Sequence, residues 1–267
     1  MIEIREKLPE ENWQSIRREF YQSLTMPFDG MWDEIIHERA QLWGFYDEDE
    51  IVGYCSVDED KTLLNFYLNE AYHDRQKRGF DRVLFKLEVS QALVSTSNPD
   101  FLIMSLEKSR KMAVHTHLFE DHLVVTPNIP AYLASISFQN KQMDDIPKLV
   151  DFCSKNNIGN PDWLNSYIER LVARKEIYAL CEQDEIIGTY EIRKSLTQPA
   201  IADLGVIVDE KYRGKGIGSY LMSKAKEAAY LQGLTPICSC EQKNIASKKM
   251  IENAGFLSKN MMLKITF

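Results

Sequence analysis

The residues best placed to do chemistry lie between Leu204 and Gly218. A β-branched run, Leu204-Gly205-Val206-Ile207-Val208, ends in the charged turn Asp209-Glu210-Lys211-Tyr212. Three glycines at alternate positions follow in Arg213-Gly214-Lys215-Gly216-Ile217-Gly218. Glycine carries a high entropy cost, so three in five residues imply a backbone that must take special angles or come close to a ligand. If a helix starts here, its unpaired amide N–H groups point at an anion, and Arg213 and Lys215 add positive charge beside them. The chemistry such a stretch offers is the holding of phosphate. The spacing is not that of a P-loop, because Lys215 is not followed by Ser or Thr at the right gap. Nor do Gly214, Gly216 and Gly218 give the Gly-x-Gly-x-x-Gly of a dinucleotide turn.

A phosphate turn needs a strand before it and a helix behind it. Ile217, Tyr220, Leu221, Ala225 and Ala228 recur at helical spacing, which predicts a helix over 217–232 starting at the glycines. The rest of the second half reads as a strand over 135–139 and a helix over 144–156 with Pro147 in its first turn. A helix over 161–174 and a hairpin of 177–182 with 185–194 come next. The sequence then predicts strands at 202–208 and 235–240, a helix over 244–253, and closing strands over 255–267. The first half has the same order: strand 2–5, helices 10–24 and 31–39, hairpin strands 41–46 and 51–57, and strand 61–68. A loop then leads into a helix over 81–94, a strand over 100–106 and a short helix. Thr126-Pro127-Asn128-Ile129-Pro130 reads as a linker.

Two short echoes turn this parallel order into evidence for duplication. Asp49-Glu50-Ile51-Val52-Gly53-Tyr54 returns as Asp184-Glu185-Ile186-Ile187-Gly188-Thr189-Tyr190, and Asn69-Glu70-Ala71-Tyr72 returns as Asp209-Glu210-Lys211-Tyr212. The expectation is an α/β protein of two copies of one unit, residues 1–130 and 131–267, each a mixed central sheet flanked by helices.

Composition limits the partners. A net charge of −8 over 267 residues argues against general nucleic-acid binding, which demands a basic face. There is no apolar run of membrane-spanning length and no signal-peptide pattern at the N-terminus, so a cytoplasmic protein without membrane contact is expected. Cys55, Cys153, Cys181, Cys238 and Cys240 are odd in number and scattered, which fits reduced thiols. His115, His117 and His122 form a small cluster, but no cysteine or paired carboxylate completes a metal site, and none is expected.

With these residues in hand, 135–267 resembles a GNAT-superfamily N-acetyltransferase. The signature Arg/Gln-x-x-Gly-x-Gly/Ala is met by Arg213, Gly216 and Gly218, and a later Asn with a small residue three on and a Gly-Phe is met by Asn244, Ser247 and Gly255-Phe256. The resemblance implies acetyl-CoA as co-substrate. Amides from Gly214 to Ser219, including those of Lys215, Gly216, Ile217 and Gly218, would hold its pyrophosphate. The strand edge including Val206, Ile207 and Val208 would pair with its pantetheine arm, and Asn244 would reach that arm. It further implies transfer of an acetyl group to a primary amine of a small molecule or peptide, and either a monomer with pseudo-dimeric halves or a homodimer.

The same resemblance points to a carboxylate base about ten residues before the glycines, hence Asp203, with Glu191 beside it on the preceding strand. The tyrosine that commonly reprotonates the thiolate would fall at Ile251, so that acid is missing. Tyr190, Tyr212, the cysteine pair or solvent are the substitutes. This departure keeps open a non-catalytic acyl-CoA-binding regulatory module as the alternative function. In the first half the nearest match to the signature is Gln76-Lys77-Arg78-Gly79-Phe80-Asp81. Asp81 stands where a small residue belongs, and its charge would repel a pyrophosphate. That half is expected to be a degenerate copy.

Overall fold

Apolar and β-branched runs become strands here wherever both of their faces find cover. The strand Glu185–Lys194 is buried at six consecutive positions, the pattern of a strand packed on both sides. The structure is a computed structural model. It describes residues 2–6, 10–32, 40–126, 129, 133, 136, 138–158 and 161–267, without the side chains of residues 10–13, 140, 161 and 162. The chain forms two compact units. One comprises Met1–Leu118, Ser239–Lys243 and Ser258–Phe267, the other Phe119–Cys238 and Asn244–Leu257.

The first unit holds β1 (Glu3–Glu6), α1 (Glu10–Ser23), β2 (Ala40–Asp47), β3 (Glu50–Asp58), β4 (Thr62–Leu68), α2 (Gln76–Lys86), β5 (Gln91–Ser95) and α3 (Pro99–Lys108), and β6 (Lys111–Asp121) starts in it. Its strands β1 to β4 are antiparallel neighbours and β4 runs parallel to β5. The second unit holds β7 (Phe138–Asn140), α4 (Ile146–Lys155), α5 (Pro161–Ala173), β8 (Ile177–Glu182), β9 (Glu185–Lys194), β10 (Ile201–Val208), α6 (Ile217–Leu231), β11 (Thr235–Glu241) and α7 (Ile245–Asn253). Here β7 to β10 are antiparallel neighbours and β10 runs parallel to β11. The last strand, β12 (Phe256–Thr266), pairs antiparallel with β5 through Met262–Thr266. Residues 258–267 therefore count with the first unit, although in sequence they close the second.

Both units are thus α/β with a mixed sheet and helices, as expected, but the first half differs in three elements, one being the short helix expected after residue 106, where the chain forms the strand β6. The helix expected over 81–94 is α2, which begins five residues earlier and ends at Lys86, and Gln91–Ser95 is a strand. The strand expected over 100–106 is α3. Asn98 caps that helix by accepting from the Phe101 N–H at 3.2 Å, and Pro99 occupies the first turn. Cap and proline chemistry outweigh the apolar run Phe101-Leu102-Ile103-Met104. The strand expected over 135–139 is seen as β7, Phe138–Asn140, and the helix expected over 31–39 and the linker 126–130 lie largely outside the described residues.

The internal repeat extends to irregular features. The β2–β3 register slips between Phe45 and Tyr46, and the β8–β9 register slips between Leu180 and Cys181, 135 positions on in each case. The two hairpin turns hold Glu48 at φ 57° and Gln183 at φ 55°, also 135 apart. Asn69 and Asp209 each cap a short 3₁₀ turn, accepting from Ala71 N and Lys211 N. The backbone N–H of each donates to the strand before, Asn69 to Val52 O and Asp209 to Ile187 O. Bulges and left-handed residues without glycine are uncommon, so matched pairs of them mark descent from one unit. The shared glycine of the hairpin has a packing reason: a Cβ on Gly53 would lie 2.3 Å from Tyr67 O, and one on Gly188 would lie 2.7 Å from Leu221 Cδ1. A backbone carbonyl cannot step aside, whereas a leucine tip can. Gly53→Ala is expected to lower unfolding free energy by about 1–3 kcal/mol and Gly188→Ala by less, read from urea denaturation of the two variants.

Candidate functional site

Strand β10 has two unlike edges. It pairs with β9 from Ala202 to Val208, but with β11 only from Ile201 to Asp203. Past Asp203 the parallel partners diverge, so the second edge from Leu204 to Val208 opens a gap in the sheet. Val206, Ile207 and Val208 lie along this edge, half-buried.

The strand leads straight into the glycine turn. Gly214 has φ +76° and Gly216 φ +81°, both left-handed. Gly216 is the N-cap of α6, and no side chain caps that helix, so its first-turn N–H groups are left for another acceptor. A Cβ on Gly214 would meet nothing within 4 Å, so the space over its amide is open. Gly218 lies instead against Met250 and Val208. Arg213 braces the turn: Nε donates to Val208 O at 3.0 Å and Nη2 to Asn156 Oδ1 at 3.0 Å. Lys215 stands exposed, its Nζ 5.1 Å from the Tyr212 ring centroid. Ser219 lies half-buried in the first turn of the helix. An uncapped helix start, left-handed glycines and open space suit a diphosphate.

The proposed catalytic side chains are distributed over two faces. Tyr190 shares its face of β9 with α6 and packs in an aromatic group with Tyr178 (4.9 Å, stacked) and, through Phe138, with Tyr220. Burial raises its phenol above the ordinary value. Glu191, Arg193 and Asp203 occupy the other face, under Tyr167 of α5. Arg193 donates to Asp203 Oδ2 through Nε (3.2 Å) and Nη2 (2.6 Å), and through Nη1 to Glu191 and to Tyr167 Oη (3.0 Å). The Tyr167 hydroxyl donates to Glu191 Oε2 at 2.6 Å. Asp203 is 2% exposed and Glu191 4%, so neither is presented to solvent. Burial alone would lower the Arg193 pKa, but Asp203 and Glu191 outweigh it and hold the guanidinium charged; burial pushes the Tyr167 phenol well up. The structure therefore brings Asp203 and Glu191 together and leaves Tyr190 on the opposite side.

The motif asparagine has a local role. Asn244 is the N-cap of α7, and its Oδ1 accepts from Ser247 N at 3.0 Å. Ile251 is buried on the same helix. The described residues contain no cluster of three or more metal-ligating side chains.

A family model described as "Acetyltransferase (GNAT) family" matches residues 146–256, and one described as "Acetyltransferase (GNAT) domain" matches residues 10–122. The chain is a tandem of two GNAT domains. A GNAT-family acetyltransferase from Colwellia psychrerythraea superposes with a TM-score of 0.91 at 27% identity, covering 99% of each chain. A tandem GNAT protein from the clavulanic acid biosynthesis pathway superposes at 0.70 and 13% identity, over 100% of this chain and 98% of the other. A GCN5-related N-acetyltransferase from Sphaerobacter thermophilus gives 0.65 and 14%, over 98% and 94%. At those lower identities the likeness is one of fold. Among curated proteins, none matches the sequence significantly.

The first GNAT domain has the same strand divergence without the turn. Its β4 pairs with β5 only at Thr62 and Leu63. The 3₁₀ turn Glu70–Arg75 then runs directly into α2, with no left-handed residue between them. Counting from the matched caps Asn69 and Asp209, the places of Gly214, Gly216 and Gly218 are taken by Asp74, Gln76 and Arg78. Gly79, read from sequence as the surviving glycine, sits inside α2 instead. Leu64 and Leu93, on the diverging strands, join an apolar cluster with Phe28 and Trp32.

Arg193, Tyr167 and Gly205 were not singled out from sequence. Their signal is Glu191-x-Arg193 on one strand and Asp203 on the next, charged residues in otherwise apolar strands, with Gly205 two residues beyond Asp203. Glu176 lies beside them, its Oε1 accepting from Lys194 N at 3.0 Å. Burial raises its carboxyl pKa from 4.5, although the Lys194 bond and the Arg174, Lys194 and Arg193 charges pull it down. The folded chain holds this proton to higher pH than the unfolded chain does, so folding loses stability as pH rises from 4.5 through the raised value. Glu176→Gln removes that loss. Its stability relative to wild type should rise as pH is raised from 4.5 in urea unfolding, and an unchanged difference would contradict the sign.

Proposed function

We propose that residues 131–267 bind acetyl-CoA and transfer its acetyl group to a primary amine of a small molecule or peptide, and that residues 1–130 are a degenerate copy. The observation that carries this is the open glycine turn beside the free edge of β10. Arg213 and Lys215 supply charge, the N–H groups of Gly214 to Ser219 supply donors for the pyrophosphate, and Val206 to Val208 supply a strand edge for the pantetheine amides. Asn244 and Ser247, at the start of α7, border the same cofactor. Bound there, acetyl-CoA supplies an activated acyl carbonyl, and a backbone N–H of β10 would polarise it.

The acceptor amine must lose a proton. A direct base role for Asp203 or Glu191 is opposed by their burial and by their bonds to Arg193, which leave neither presented to an acceptor. The proton passes to solvent. We read Tyr190 as part of the wall of the domain. A monomer whose halves mimic a dimer fits the tandem, and the location we propose is cytoplasmic. Among the described residues, no helix is long and apolar enough to cross a membrane.

Buried Ile251, at the place of the family's tyrosine acid, favours the second reading, a module that binds acyl-CoA without turnover. Thiol release from acetyl-CoA with a panel of amines separates the two: steady release with one acceptor supports the transferase, and tight binding with no release supports the module. Titration calorimetry of the full chain should give one acetyl-CoA per chain, and two equal sites would overturn the degenerate first copy. Gly216→Ala forces an L side chain to φ +81°. At about 1–2 kcal/mol for that conformation, acetyl-CoA affinity should fall about tenfold with the second domain still folded, read by calorimetry and circular dichroism.

A further inference from the structure

The buried network meets the strand divergence at one residue. Parallel pairing of β10 with β11 stops at Asp203, and Asp203 is the residue that the Arg193 guanidinium grips from the antiparallel side. The same guanidinium reaches Glu191 on its own strand and Tyr167 on α5, so one side chain ties two strands and a helix together. Gly205 makes room for it: a Cβ there would lie 2.6 Å from Arg193 Nη1 and 2.9 Å from Glu191 Oε2. Trp163 stacks on Tyr167 at 4.4 Å and holds the phenol from behind. Apolar side chains of equal volume could fill this space with no loss of stability, because a buried ion pair seldom repays its desolvation. What the ionic set adds is direction, since a guanidinium fork fixes its partners in distance and angle.

We propose that Arg193 is a positioning residue for acetyl transfer, one that fixes the free backbone edge of β10 from Gly205 to Val208 where it must meet the acyl group. The inference rests on the transferase reading above. Arg193 touches no reacting atom; it acts through Asp203 and the strand that carries it. The glycine turn is braced separately, by Arg213 to Val208 O and Asn156, so loosening Arg193 leaves the pyrophosphate site in place. The two functions of the site, holding CoA and aligning the acyl carbonyl, thus depend on different arginines.

The test uses the full chain. Arg193→Lys keeps the charge and loses the fork; Tyr167→Phe removes one hydroxyl and keeps the ring. A misplacement of about 1 Å at a reacting centre costs about 10²-fold in rate. Arg193→Lys should therefore lower kcat by roughly 30- to 100-fold, and Tyr167→Phe by about 5- to 10-fold. The dissociation constant for CoA and the melting temperature should stay close to wild type. A role in stability alone predicts the opposite split, with melting lowered and kcat per folded molecule kept. A folded Arg193→Lys variant with wild-type kcat overturns the proposal, as does a variant that loses CoA affinity and keeps kcat. If Arg193→Lys does not fold, Tyr167→Phe decides by the same split. Wild-type protein that binds acetyl-CoA but turns over no amine overturns the transferase reading instead, and is seen before any variant is made.

Discussion

The parting of β10 from β11 after Asp203 is the constraint on which the second domain depends. A strand inside a sheet normally satisfies both rows of its peptide groups, and β10 satisfies one row along its length and the other by pairing over three residues, with the Val208 carbonyl taken by Arg213. Backbone groups left open at the centre of a domain are costly unless water or a ligand meets them. Everything nearby serves to keep that opening from closing: the antiparallel partner β9 pairs without a break, the Arg193 network pins the point of divergence, and the glycine turn carries the chain away into α6. A closed sheet would be the more stable arrangement for an isolated domain. The opening is the part of the fold that a pantetheine chain would complete.

The first domain keeps the packing features of the second and differs at the turn. It keeps the hairpin slip, the left-handed turn residue and the capped 3₁₀ turn of its partner copy, all features of packing. It lacks the features that serve a ligand. Asp74 and Gln76 stand where left-handed glycines would be, α2 follows its 3₁₀ turn without a gap, and Phe28 and Trp32 pack with Leu64 and Leu93 beside the diverging strands. Stability constrains the hairpin in both copies, whereas only binding constrains the turn. A helix running directly from its cap is the lower-energy course, because each left-handed glycine avoided is an entropy cost avoided.

Much of this was legible in the sequence, and the boundary between what was and what was not is physical. The glycine turn, the start of α6 and the β8–β9 hairpin follow from local rules, namely backbone angles open to glycine and alternation over a short range. The helix α3 was misread as a strand because four apolar residues suit either state, while the decisive signal was the Asn98-Pro99 pair before them. The false alignment at Gly79 arose the same way, from matching a residue type when the caps Asn69 and Asp209 set the true register. The division of the chain shows a further limit. The pairing of β12 with β5 joins positions more than 160 residues apart, and nothing local in either strand announces it.

The carboxylates Asp203 and Glu191 mark the deepest limit of sequence reading. Asp203 has the right place in the chain for a base, but position along a strand gives only its face, not its partners. The charge that decides its role comes from Arg193 on the neighbouring strand. A carboxylate beside solvent can meet a substrate directly; one that is buried and accepts two bonds from a guanidinium already has its partner. The same residue type at the same position can therefore be a proton acceptor in one member of a fold and a fixed charge in another. What separates the two cases is whether a cation lies opposite it across the strand pair. In this chain one does: Arg193, bonded to Asp203 Oδ2 through both Nε and Nη2.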